Sequence, residues 1–322
     1  MSNICDDAVV TFIGKRRTGK SWLVRDLLYY HQDLPVGTVV SPTERCNKFF
    51  SNMVPPLFIH DEFQPSLIEN ILKRQQKIID KIERRDPDYT DADPRAFLLF
   101  DDCMYDASWA RDKSVRFVFM NGRHLKILFL ITMQYAMGIP PNLRNNIDFV
   151  FICRANTVAQ QKRLYEQYAG MFPSLEMFAQ VMNQCTENFE CLVINNVTQS
   201  NQLEDQVFWY KAEPHDDIRI GADVFWNYNN MNYQEADPGL EEKTDWRTIG
   251  GRKNRIPIHV QKNTETNSRR GGKKSRAIRD KEEEEYDWDD IGSSVSSRGR
   301  RNGGGMIDYT RYGYDAEGDI YD

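Results

Sequence analysis

No apolar run in this chain approaches the roughly 20 residues that a helix needs to cross a bilayer. The longest, such as Ile127-Leu128-Phe129-Leu130-Ile131, have the length of a buried strand, so no transmembrane segment is expected. The first residues, Met1-Ser2-Asn3-Ile4-Cys5-Asp6-Asp7, lack the basic start and apolar centre of a secretory signal. A cytoplasmic or nuclear location, or packaging from one, is expected rather than secretion. Paired cysteines are missing too. Cys5, Cys46, Cys103, Cys153, Cys185 and Cys191 are scattered, with no C-x-x-C pair and no matching histidines, which argues against a zinc site and for a reducing compartment. Nor is there an excess of positive charge. With a net charge of −6, any nucleic-acid partner must be met by local charge rather than by the average.

What is present is enough apolar material for a core: 40% of 322 residues. It is unevenly spread. Strand-like and helix-like patterns alternate up to about Tyr233 and then give way to Gly, Ser, Arg, Lys, Asp and Glu. The expected organisation is a globular domain over residues 1–235 and a flexible, low-complexity charged tail over 236–322.

The most informative segment is Gly14-Lys15-Arg16-Arg17-Thr18-Gly19-Lys20-Ser21, which fits the G-x-x-x-x-G-K-[ST] phosphate loop at every specified position. Upstream, Ala8-Val9-Val10-Thr11-Phe12-Ile13 has the composition of a buried strand; downstream, Leu23, Leu27 and Tyr30 recur at helical spacing. A triphosphate needs many donors converging on it. The glycines let successive amides turn inward while the following helix adds its positive end. Lys20 is then expected to reach the β- and γ-phosphates of ATP, and the Ser21 hydroxyl to ligate Mg2+.

Further strands are expected over 36–40, 57–60, 97–102, 126–132, 147–153, 191–194 and 207–210. Between them, Leu67, Ile71, Ile78 and Ile82 mark one face of a long helix carrying many Lys and Arg. The alternation predicts an α/β fold, a mainly parallel sheet with helices on both faces, as in P-loop NTPases. Phe97-Leu98-Leu99-Phe100-Asp101-Asp102 has the form of a Walker B strand, with Asp101 beside the metal and Asp102 polarising the attacking water. Gln134, leaving the 126–132 strand at its carboxyl end, is placed either to sense the γ-phosphate or simply to leave the sheet.

In order along the chain, these stretches resemble the poxvirus-type DNA-packaging ATPases of nucleocytoplasmic large DNA viruses, within the FtsK–HerA superfamily. The likeness runs from about Val9 to Ala212. It is carried by the phosphate loop, Leu98 to Asp106, Met120-Asn121-Gly122-Arg123-His124, Thr132-Met133-Gln134-Tyr135 and Ile139-Pro140-Pro141-Asn142-Leu143-Arg144. The resemblance implies a ring-like homo-oligomeric motor that moves double-stranded viral DNA into a preformed capsid. It implies capsid or membrane-associated packaging partners, and residence in the virion or at the assembly site. It further implies an arginine supplied by a neighbouring subunit, for which Arg123 is favoured over Arg144. Many relatives in the superfamily carry Asp-Glu where this chain has Asp101-Asp102.

In the tail, Arg269-Arg270-Gly271-Gly272-Lys273-Lys274-Ser275-Arg276 precedes Glu282-Glu283-Glu284-Glu285. The basic block suits DNA phosphates or nuclear import; a purely solubilising tail is the alternative. Two other functions fit the same loop: a nucleotide-dependent assembly scaffold without translocation, and a small-molecule kinase.

Overall fold

The computed structural model describes residues 1–103 and 109–233. Their elements, in chain order, are β1 (Val9–Ile13), α1 (Lys20–Tyr29), β2 (Gly37–Val40), α2 (Glu44–Asn47), β3 (Ile59–His60) and α3 (Pro65–Glu83). Then follow β4 (Ala96–Asp101), α4 (Lys113–Asn121), β5 (Ile127–Met133), α5 (Pro141–Arg144), β6 (Phe149–Ile152) and α6 (Val158–Tyr168). The order closes with α7 (Leu175–Cys185), β7 (Glu190–Asn195), α8 (Leu203–Gln206), β8 (Val207–Lys211) and α9 (Asp223–Asn232). The boundary expected at residues 235/236, the whole charged tail, and Met104, Tyr105 and Asp106 lie outside the described residues.

The strands form one eight-stranded sheet in the order β3-β2-β4-β5-β1-β6-β7-β8. From β3 to β6 all pairings are parallel, whereas β7 and β8 are antiparallel additions. The fold is therefore α/β with a mainly parallel sheet. Burial on both faces explains the near-continuous apolar strands: all five residues of β1 and all seven of β5 are buried. The period of two sorts each strand between two cores. Val9, Ile13, Phe129 and Ile131 join α4, α6 and α7 on one face; Val10, Phe12, Leu128 and Leu130 join α1 and Phe225 of α9 on the other.

Two local expectations need correction. Residues 57–60 do not form a four-residue strand. Pro56–Phe58 is a single 3-10 turn, favoured by proline in its first turn, and only Ile59–His60 pairs with β2. The buried stripe of α3 is centred on Ile68 and Gln75, with Leu67, Ile71, Leu72 and Ile79 packed at its margins. Gln75 belongs there because its amide donates to Pro94 O (2.6 Å) and Leu125 O (2.8 Å), carbonyls just before β4 and β5. A polar residue inside an apolar stripe is invisible to a pattern that counts only apolar positions.

Candidate nucleotide site

β1 releases the chain into the phosphate loop between two parallel neighbours. The Gly14 amide donates to Met133 O (3.0 Å) at the end of β5, and the Cys153 amide donates to Ile13 O (2.8 Å) just after β6. Each glycine is required for a different reason. A Cβ on Gly14 would lie 2.6 Å from both Cys153 Cβ and Thr18 Oγ1, so Gly14 is fixed by space and not by an unusual backbone angle. Gly19 has φ 97°, in the left-handed region, and starts α1 without a side-chain cap. The first-turn amides of α1 are thus left to a ligand, at the positive end of the helix.

The loop closes onto its own lysine. The Lys20 ammonium donates to Gly14 O (2.6 Å) and Lys15 O (2.9 Å), while Thr18 Oγ1 donates to Lys15 O (2.8 Å). Burial pulls the Lys20 ammonium below its ordinary range, with Cys153, Asp102 and Asp101 opposing and Arg16 reinforcing that shift. Lys15, Arg16 and Arg17 are exposed, and Ser21 is half-buried on the first turn of α1. Behind the loop, burial pushes the Cys153 thiol up to about 11, so it is neutral packing rather than a nucleophile.

The two acids come from β4, two strands away from β1. Asp101 is buried; Oδ1 accepts from Thr132 Oγ1 (2.8 Å) and Oδ2 from Ser41 Oγ (3.0 Å). Burial raises its carboxyl, Thr132 and Ser41 pull it back, Asp102 raises it further and Lys20 lowers it. Thr132 also accepts from the Asp102 amide (3.0 Å), so one hydroxyl orders both acids. Asp102 has φ 51°, a left-handed turn that aspartate tolerates better than most residues, and accepts from Gln134 Nε2. The loop, Lys20, Asp101, Asp102 and Gln134 therefore converge at the carboxyl ends of β4, β5 and β1.

The arginines are elsewhere. Arg123 follows α4 and precedes β5; it is exposed and pairs with Asp148 (3.2 Å), whose other oxygen accepts from the Val9 amide. It therefore lies at the amino ends of the strands, opposite the phosphate loop. Arg144, on α5, bonds Gln167 and sits 5.7 Å over the Tyr168 ring. Neither belongs to the cluster within its own chain. The sequence alone does not assign Ser41 or Thr132 to the acids. Their signal is positional: one follows β2, the other pairs in register with Asp101, which becomes readable only once the strand order is known.

A parallel sheet with a glycine phosphate loop after β1 and paired acids at the end of a nearby strand defines a P-loop α/β protein. No family profile matches the chain. It is 41% identical over 228 residues to Uncharacterized protein L437 of Acanthamoeba polyphaga mimivirus, covering 70% of this chain and 80% of that protein. It is 37% identical over 237 residues to Uncharacterized protein 075L of Invertebrate iridescent virus 6, covering 72% and 89% respectively. The chain belongs to the family of these two viral proteins. Among solved structures it is similar to the genome packaging NTPase B204 of Sulfolobus turreted icosahedral virus 2 bound to AMP. That likeness has 13% identity and a TM-score of 0.44, over 66% of this chain and 100% of that one.

Proposed function

We propose that this chain is a Mg-dependent ATPase that, as a ring-like homo-oligomer, drives double-stranded viral DNA into a capsid during virion assembly. The observation that carries the reading is the convergence of Lys20, Asp101, Asp102 and Gln134 on one phosphate loop. Family membership among proteins of large DNA viruses supports the setting. The ordered resemblance in sequence to poxvirus-type packaging ATPases supports the motor.

On this reading, ATP displaces the Lys20 ammonium from the loop carbonyls onto the β- and γ-phosphates, while the loop amides bind their oxygens. Ser21 and Asp101 would hold magnesium: a hydroxyl and a carboxylate are hard oxygen donors of the kind it takes alongside phosphate and water. When bound, the metal neutralises charge on the phosphates. Asp102 takes the proton of the attacking water as its oxygen bonds the γ-phosphorus and the bond to the β–γ bridging oxygen breaks, releasing ADP; Gln134 holds Asp102 in place and faces the same water. An arginine from a neighbouring subunit completes the site, worth on the order of 10³ to 10⁵ in rate. The charged tail would meet DNA or packaging partners at the assembly site.

The test measures phosphate release by purified oligomer, with and without double-stranded DNA, over a range of salt. Turnover should rise with DNA and vanish in Lys20→Ala. Equal rates with and without DNA would leave a scaffold that hydrolyses ATP idly. Transfer of phosphate to an acceptor other than water would make the protein a kinase.

A further inference from the structure

Resting on the nucleotide-binding reading, we propose that Phe189 is the platform on which the base of the bound nucleoside triphosphate stacks. Phe189 lies in the turn between α7 and β7. Because β7 runs antiparallel to β6, this turn sits at the carboxyl end of β6, where Cys153 backs Gly14. Phe189 Cβ and Cδ1 each lie 3.7 Å from the point a Cβ on Gly19 would occupy, so the side chain borders the phosphate loop itself.

Its condition is unusual for a phenylalanine. The residue is 67% exposed and, among the described residues, stacks on no other aromatic ring. Its backbone is left-handed, with φ 66°, directly after Asn188 at φ 49°. A bulky residue adopts that region only where its surroundings impose it. Here the Glu190 amide closes the turn onto Glu187 O (2.8 Å), and Glu187 pairs with Arg154 (3.4 Å), just after β6. The fold thus holds a flat apolar face in water, at the edge of the phosphate cradle.

The two sides of the loop also give the ligand a direction. Toward β5 and β4 lie Gln134, Asp102 and Asp101, the hydrolytic end, which needs the γ-phosphate. Toward β6 and β7 lies Phe189, which offers what a base needs, a ring to stack on. Two other exposed aromatics lie nearby. Tyr135, 44% exposed, follows Gln134 on the hydrolytic side, accepts from Arg163 at its hydroxyl (2.6 Å) and carries that guanidinium over its ring at 5.3 Å. Trp22, next to Ser21, is 49% exposed. It already meets Phe49 edge-on at 6.4 Å and carries Arg25 over its ring at 5.5 Å.

Calorimetric titration with ATP and with inorganic tripolyphosphate, which has no base, tests the proposal on wild type, Phe189→Ala, Phe189→Trp, Trp22→Ala and Lys20→Ala. Phe189→Ala should weaken ATP about tenfold, the scale of a lost base–aromatic stack, and leave tripolyphosphate unchanged. Phe189→Trp should keep ATP affinity, which separates stacking from misfolding, and Lys20→Ala should lose both ligands. Wild-type ATP affinity in Phe189→Ala, beside loss in Lys20→Ala, overturns the platform and leaves the nucleotide site standing. Equal weakening of both ligands by Phe189→Ala overturns it as well, by showing an effect on the loop. A base-dependent loss in Trp22→Ala alone moves the platform to Trp22. Wild type that binds neither ligand removes the nucleotide reading and this one with it.

Discussion

Asp101 shows what a single side chain can sacrifice to be useful. Burial raises its carboxyl above the ordinary 3.8, so the folded protein holds this proton more tightly than the unfolded chain. For an acid shifted in that direction, stability falls as pH rises from the ordinary value through the folded one, and the full penalty persists above it. Asp101→Asn should therefore raise the melting temperature of the nucleotide-free protein at pH 7, with the gain shrinking as pH falls toward 4. Its ATP turnover should drop at least ~10²-fold. Thermal melts across pH check the sign; a variant that melts below wild type at pH 7 would refute the account. At this scale the sequence is uneven. Lys20 and Ser21 stand out as a motif because the phosphate loop fixes their spacing, and Asp101 and Asp102 because an apolar strand runs into them. Ser41 and the bonding role of Thr132 do not, because they matter only through strands that the chain reaches many residues apart.

Elements are tied together by buried polar contacts as well as by apolar faces. Asp26 of α1 is fully buried and accepts from the Tyr210 hydroxyl (2.6 Å) on β8, bonds His215 Nε2 (2.6 Å) and accepts from the Glu213 amide (3.3 Å). Tyr29 of the same helix stacks on His215 at 3.6 Å. This knot fastens the segment after β8 to the helix that begins at the phosphate loop. Asp26→Ala should cost about 1–3 kcal/mol, since it strands buried donors, and Tyr210→Phe should cost less. Urea unfolding measures both; an Asp26→Ala variant as stable as wild type would mean the contacts are incidental. The strands were legible from their β-branched and aromatic runs, because burial on both faces leaves little room for polar residues. The antiparallel turn of β7 and β8 was not, since apolar strands carry no mark of direction. Gln75 escaped for a related reason: its partners are backbone carbonyls, which no side-chain pattern encodes.

For the whole molecule, the decisive relation is between opposite ends of the sheet. Arg123 stands at the amino ends of the strands and the phosphate loop at the carboxyl ends, so a role for Arg123 in hydrolysis requires a second copy packed head to tail. Lys20→Ala and Arg123→Ala proteins should each be inactive alone. If the proposed ring forms, mixing them in equal amounts should restore about a quarter of the wild-type rate, because random assembly places an intact loop beside an intact arginine at that frequency of interfaces. Activity that stays absent in the mixture would rule Arg123 out, and the same mixing with Arg144→Ala then examines the other candidate. One chain read alone offered both arginines and favoured Arg123, but the test of that preference lies on a surface that only assembly creates.

The contact between Gly14 and Cys153 bears on how this lineage can drift. A side chain at Gly14 would strike the Cβ of its neighbour and not just the sulfur, so shrinking Cys153 to Ser or Ala gives no relief. A descendant that abandoned nucleotides altogether would be free to lose Lys20 and Ser21, yet would still inherit that first glycine as a packing necessity. In comparing distant cousins, the lysine would therefore record whether the proposed nucleotide chemistry persists, while the glycine records only that the packing is the same.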